Sequence, residues 1–222
     1  MCLTEIRARM RRACKDAGRA ENAATLTAVC KNQPVEKILP LIAAGQRAFA
    51  ENRVQEAEGK WPALRSAYPD ISLHLIGHLQ TNKAKDAVRL FDVIESLDRP
   101  ALADALAKEM EKQNRRLPCF IQVNTGEEPQ KGGIAPQDLP AFFDYCRAQN
   151  IEIAGLMCIP PAEDIPALHF ALLAKLARGL SAEKPLRLSM GMSGDFEIAI
   201  RCGADQVRIG SALFEIIKPE EN

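Results

Sequence analysis

Apolar runs of strand length alternate with longer amphipathic stretches along almost the whole chain, the signature of a parallel α/β fold. An opening helix is predicted over 3–17, followed by strands at 25–30, 47–50, 72–76, 92–96, 119–124, 153–158, 187–190 and 206–209. Helical stretches at 35–44, 54–67, 100–114, 136–148 and 165–180 lie between them, with apolar residues recurring at three- and four-residue spacing. Eight such strands close a TIM-type (β/α)8 barrel, so the expected architecture is one α/β domain over 1–222 with an additional N-terminal helix. An open doubly wound sheet alternates in the same way but usually needs fewer strands.

No repeat or low-complexity linker interrupts this pattern. One loose stretch, 126–136, carries Gly126, Gly132 and Gly133 and follows the fifth predicted strand, where barrel loops form the mouth of a site. It reads equally as a surface loop or as a loop covering a ligand. Lys131 sits in it and is expected to approach a bound ligand there.

Charge narrows the partners. Lys plus Arg total 29 and Asp plus Glu total 29, so no net positive field gathers a polyanion, and nucleic acid is not expected as the main partner. Residues 1–12 lack the apolar core of a signal peptide, and no run of about 18 apolar residues exists to span a membrane. Seven scattered cysteines without a C-x-x-C pair suit reduced thiols, so a cytoplasmic protein is expected. His74 and His78 lie in an apolar stretch without further ligands, and no metal site is expected.

Residues just past each strand carry the candidate chemistry. Lys31 directly follows the run 26–30. A lysine at the end of a buried strand loses hydration of its ammonium, which frees a nucleophilic amine able to form a Schiff base with an aldehyde. The same position also suits a lysine snorkelling out of the rim. Near the C-terminus, Gly191-Met192-Ser193-Gly194 and Gly210-Ser211 each end a strand and open a helix, a geometry that offers backbone N–H groups and hydroxyls to an anion. Ser193 or Ser211 taken singly is explained by helix capping. Arg208 shares the strand parity of Gly210, and either points into the same site or forms a rim ion pair. An amine on the first strand and an anion cradle on the last two become neighbours when a barrel closes. Pyridoxal 5′-phosphate (PLP) carries an aldehyde and a phosphate a ring's width apart.

Six stretches, in order along the chain, resemble those of the PLP homeostasis protein family, which is related to the N-terminal domain of alanine racemase. They are Ala28-Val29-Cys30-Lys31, Ala48 to Glu56, His74 to Lys83, Val123 to Glu128, Gly155-Leu156-Met157 and Leu188 to Ser193. The resemblance implies a PLP lysine at Lys31, Asn52 beside the cofactor ring, Arg208 at the pyridine nitrogen, and Ser193, Gly194, Gly210 and Ser211 on the phosphate. This chain departs from the family pattern at Ala50, usually Gly, at Arg53, usually Tyr, at Cys30, commonly Ser, and at Glu215, often Gly.

The resemblance implies a protein that holds PLP and supplies it to PLP-dependent apo-enzymes, and a monomer is expected. A PLP-dependent racemase, or a barrel for another phosphorylated metabolite, are the competing readings. Racemisation needs a second acid–base group on the far face of the reacting carbon. In the racemases, by resemblance, that group is a tyrosine from a further C-terminal domain. Here the sequence runs to Asn222, and its two tyrosines, Tyr68 and Tyr145, fall on predicted outer helices, so racemisation is expected to be negligible.

Overall fold

β1 (Thr25–Val29) is buried from its second residue onward, and its partners on both sides are parallel strands. In the computed structural model, which describes residues 1–180 and 185–214, it is flanked by β2 (Ala48–Glu51) and β8 (Gln206–Ile209). Between these run β3 (Ser72–Leu75), β4 (Val93–Leu97), β5 (Cys119–Gln122), β6 (Ile153–Met157) and β7 (Arg187–Ser189), and the order β1 to β8 closes into a barrel. The barrel, rather than the open sheet, is therefore the fold. Glu215 and the rest of 215–222 lie outside the described residues.

The helices wrap the outside: α1 (Leu3–Asp16), α2 (Val35–Ala43), α3 (Val54–Ala67), α4 (Ala84–Leu90), α5 (Pro100–Lys112), α6 (Leu139–Ala148), α7 (Pro166–Leu180), α8 (Phe196–Arg201) and α9 (Ser211–Phe214). The opening helix α1 packs on α8, and its Ile6, Met10 and Ala13 are fully or nearly fully buried. The sequence pattern missed α4, which spans seven residues and whose buried side chains include two alanines. Two turns present too few large apolar positions for the period to register. The helix expected from 136 starts at Leu139, with Pro140 in its first turn.

Apolar side chains fill the layer between strands and helices, with Trp61, Phe49, Phe91 and Phe170 fully buried. The barrel interior is polar by comparison. Thr27, His74, Glu95, Ser189, Gln206 and Arg208 are all buried there, and Thr27 is in register with Arg208 across the β1–β8 seam.

Gly155 on β6 permits a close passage between strands. A Cβ at that position would lie 2.1 Å from the Arg187 carbonyl oxygen on β7 and 2.5 Å from the Phe120 ring on β5. Gly155→Ala is expected to cost about 1 to 3 kcal/mol through overpacking, read as a lower urea midpoint with an unchanged slope. An unshifted midpoint would show that the strands separate freely at this point.

Candidate functional site

The C-terminal ends of the strands surround a cavity of about 720 Å3. Lys31, Asn52, Ser193, Gly194, Arg208, Gly210 and Ser211, the full set expected from the sequence, line it together. Gln122 and Ile159, which lie in no quoted motif, also line it, as does Met192, which was quoted within the Gly191–Gly194 turn but given no role. They project from strand ends, and strand parity alone does not say which loop residue turns inward.

Lys31 follows β1, and its side chain pairs with no described residue. It is exposed to the cavity, so the burial from which the sequence argument began is absent. What makes its amine available is that no described residue competes for it. The two thiols nearest the site do not compete: burial, reinforced by Glu51, holds the Cys30 thiol well above its usual range, and burial pushes Cys158 up to about 12. A protonated thiol is a poor nucleophile.

The backbone beside Lys31 is held from behind. Asn32 takes a left-handed φ of 58°, and its N–H donates to Glu56 at 2.5 Å. Lys60 on α3 lies 3.0 Å from the Cys30 carbonyl, 3.2 Å from that of Gln33, 2.6 Å from Glu51 and 2.8 Å from Glu56. Glu51 is fully buried at the end of β2 and also accepts from the Trp61 indole at 3.0 Å. Burial raises its carboxyl, while the bonds from Lys60 and Trp61 pull the other way. No sequence motif marks this lysine clamp, because Lys60 looks like any charged residue on a helix face.

Ser193 and Ser211 converge: the Ser211 hydroxyl donates to Ser193 Oγ at 3.2 Å. Neither caps its helix in the usual way, since α8 begins after Asp195 and Ser211 is itself the first residue of α9. Among the described residues, the N–H groups of Ser193, Gly194, Gly210 and Ser211 find no backbone carbonyl. Gly191 makes the approach of the two turns possible. It has φ 94°, a Cβ on it would meet Ala199 at 2.5 Å, and its carbonyl accepts from the Arg208 N–H at 3.0 Å.

Arg208 is a buried residue of the cavity floor, which rules out the rim ion pair. Its guanidinium donates to Ser189 Oγ at 2.8 Å and to the Cys158 carbonyl at 2.9 Å. Ser189 in turn donates to Glu95 at 2.5 Å, and Glu95 also receives Gln206 at 2.6 Å and His74 Nδ1 at 2.6 Å. Burial alone would raise the Glu95 carboxyl, but His74, the charge of Arg208 and the Ser189 hydroxyl bring it below the usual range. His74 is thus spent on a buried carboxylate, and no group of three or more metal-binding side chains exists among the described residues.

Asn52 is held at the cavity wall by Gly77, whose Cβ would sit 2.2 Å from the Asn52 carbonyl oxygen. Ala50 is fully buried on β2 and does not line the cavity, and Arg53 faces an adjoining pocket instead. The stretch 126–136 is tied down. Val123 bridges Ile134, the Asn124 and Ile134 amides close the loop at 2.9 and 2.8 Å, and Gln130, Lys131 and Gly132 face the cavity. The Lys131 ammonium is 2.5 Å from Glu128. Of the tyrosines, Tyr145 on α6 bonds Asp104 at 2.6 Å, Tyr68 ends α3, and neither lines the cavity.

Residues 1–217 match the family described as the alanine racemase N-terminal domain. The pyridoxal phosphate homeostasis protein of Aquifex aeolicus is 41% identical over 220 residues, 96% of this chain and 95% of that protein. Its counterpart in Vibrio cholerae is 40% identical over 96% of this chain and 93% of its own length. Among solved structures, PipY of Synechococcus elongatus with PLP bound is 36% identical, with a TM-score of 0.78 over 93% of this chain and all of that one (100%). Alanine racemase of Clostridium difficile shares the fold at 13% identity, with a TM-score of 0.69 over 96% of this chain and 57% of its own.

Lys60→Met is expected to speed hydrogen exchange of the Asn32 and Gln33 amides about tenfold or more, the cost of a lost charge-assisted bond. Amides of α6 serve as the control for global unfolding. Unchanged rates at Asn32 and Gln33 would mean that Lys60 does not hold the turn.

Proposed function

The chain belongs to the pyridoxal phosphate homeostasis proteins, within the family of alanine racemase N-terminal domains, and from this we propose that it binds PLP through Lys31, keeps it sequestered and supplies it to PLP-dependent apo-enzymes. The observation that carries this reading is the convergence of an unpartnered lysine amine and two serine-bearing turns on one cavity. The site fits the cofactor in kind and size, since cavities of roughly 300 to 1,000 Å3 hold small ligands of this class.

When bound, PLP supplies an aldehyde that condenses reversibly with a primary amine and absorbs in the near-visible. The protein's own residues do the rest. Ser193, Ser211 and the free N–H groups around Gly194 and Gly210 offer donors to a phosphate dianion, which sheds water only where several donors replace it. Arg208 can only donate, so a ring nitrogen that it meets is kept as an acceptor and the cofactor's electron demand is weak. Asn52 lines the cavity wall and would lie against the ring. Holding and release, rather than rapid turnover, suit such a site. All seven cysteines are free, as a reducing compartment requires, and we place the protein in the cytoplasm. No helix among the described residues is long and apolar enough to cross a membrane.

Borohydride reduction of the PLP-loaded protein, followed by peptide mass mapping, is expected to put the phosphopyridoxyl group on Lys31. Its appearance on Lys83 or Lys131 with Lys31 unmodified would overturn the assignment. The phosphate cradle has a separate readout. PLP is expected to bind at least tenfold more tightly than pyridoxal, as the loss of about 1.5 to 3 kcal/mol per charge-assisted bond implies. Equal affinities would remove the cradle from the account.

A further inference from the structure

Next to the main cavity lies a second pocket of about 480 Å3, and His78 lines both. Arg53 and Gln55 at the start of α3 form one wall, and His78, Gln80 and Lys83 from the β3–α4 connection form the other. Among the described residues, no carboxylate lines it. The side chains of Arg53 and Lys83 make no ion pair with any described residue. Acids nearby are committed elsewhere: Glu56 holds Lys60 and the Asn32 N–H, and Asp98, 3.7 Å from His78, is 2.6 Å from Arg99.

Two unpaired cations facing one pocket repel each other, and an anion between them removes that repulsion. Side-chain amides of Gln55 and Gln80 add neutral donors of the kind that orient an oxyanion. We propose that this pocket is a second ligand site, selective for a small oxyanion, either a phosphate monoester or a carboxylate. His78 lines its boundary with the cofactor cavity, so an anion held there sits at the edge of the cofactor's own site. The inference rests on the pocket itself and holds whether or not Lys31 carries PLP.

The imidazole resonances of the three histidines report the site directly. Inorganic phosphate is titrated into labelled protein at fixed pH and ionic strength, with acetate in a parallel series. His78 is expected to shift saturably, with a midpoint on the order of millimolar. His74, buried in the barrel, and His169, bonded to Thr125, are expected to stay still. Arg53→Gln and Lys83→Gln should each weaken the binding about tenfold, whereas Ser193→Ala should leave it unchanged. Saturation with phosphate alone assigns a phosphate ester, and saturation with acetate as well assigns a carboxylate. Absence of a saturable shift with both anions would overturn the proposal. So would a shift that persists in the Arg53→Gln, Lys83→Gln double variant but vanishes in Ser193→Ala, because the anion would then occupy the cofactor cradle.

Discussion

A carboxylate with no solvent exposure, Glu95, sits inside the barrel, and much of the site follows from what it takes to keep it there. An isolated buried charge is prohibitively unstable, so the surrounding strands must present donors and a compensating cation. His74 from β3, Ser189 from β7 and Gln206 from β8 bond it directly, and Ser189 passes the interaction on to Arg208. Four of the eight strands, β3, β4, β7 and β8, contribute a member of this set, and the Cys158 carbonyl just past β6 continues it. Arg208 is therefore fixed in position and charge at the cavity floor before any ligand arrives, which is the preorganisation that binding sites require.

A second buried ion pair does the same for the wall. Glu51 and Lys60 neutralise each other behind the strand, and the remaining reach of Lys60 holds the carbonyls of Cys30 and Gln33 around the left-handed Asn32. Most polar side chains behind the cavity are paired with one another, although Thr27 Oγ1 and one oxygen of Glu51 are not, and among the described residues the Lys31 amine and the N–H groups of the two serine turns are left unmatched toward it. Unmatched donors at a site are a cost to the free protein that a bound anion or aldehyde offsets.

The alternation of apolar strands and amphipathic helices was legible because each strand is buried on both faces, and all eight strands were found within a residue or two at most ends. The short α4 was not, since a seven-residue helix carries too little pattern. Lys31, Arg208 and the serine turns were legible from their place after strands and from the family resemblance. The networks that position them were not. Glu95 lies in an ordinary-looking strand, Lys60 on a helix face, and Ser189 was quoted only as part of a motif; their partners lie 94, 30 and 19 residues away in sequence. Tertiary packing alone brings such groups together, and Glu95 meets Ser189 and Gln206 only across the closed barrel. The stretch 126–136 shows the converse: glycines suggested looseness, but Gly133 at φ 120° instead lets the chain fold back onto Asn124, where a Cβ would lie 2.6 Å from its nitrogen.

Glu95 holds Arg208 through Ser189 at the cavity floor, where the proposed function would make it a permanent donor to the cofactor's ring nitrogen. Loading the protein with PLP labelled with 15N in the pyridine ring, and recording the nitrogen's chemical shift between about pH 6 and 9, tests that claim most directly. The account predicts an unprotonated nitrogen across the whole range, hydrogen-bonded as an acceptor. A shift characteristic of a protonated pyridinium anywhere in that range would contradict it, because a guanidinium has no lone pair with which to receive that proton.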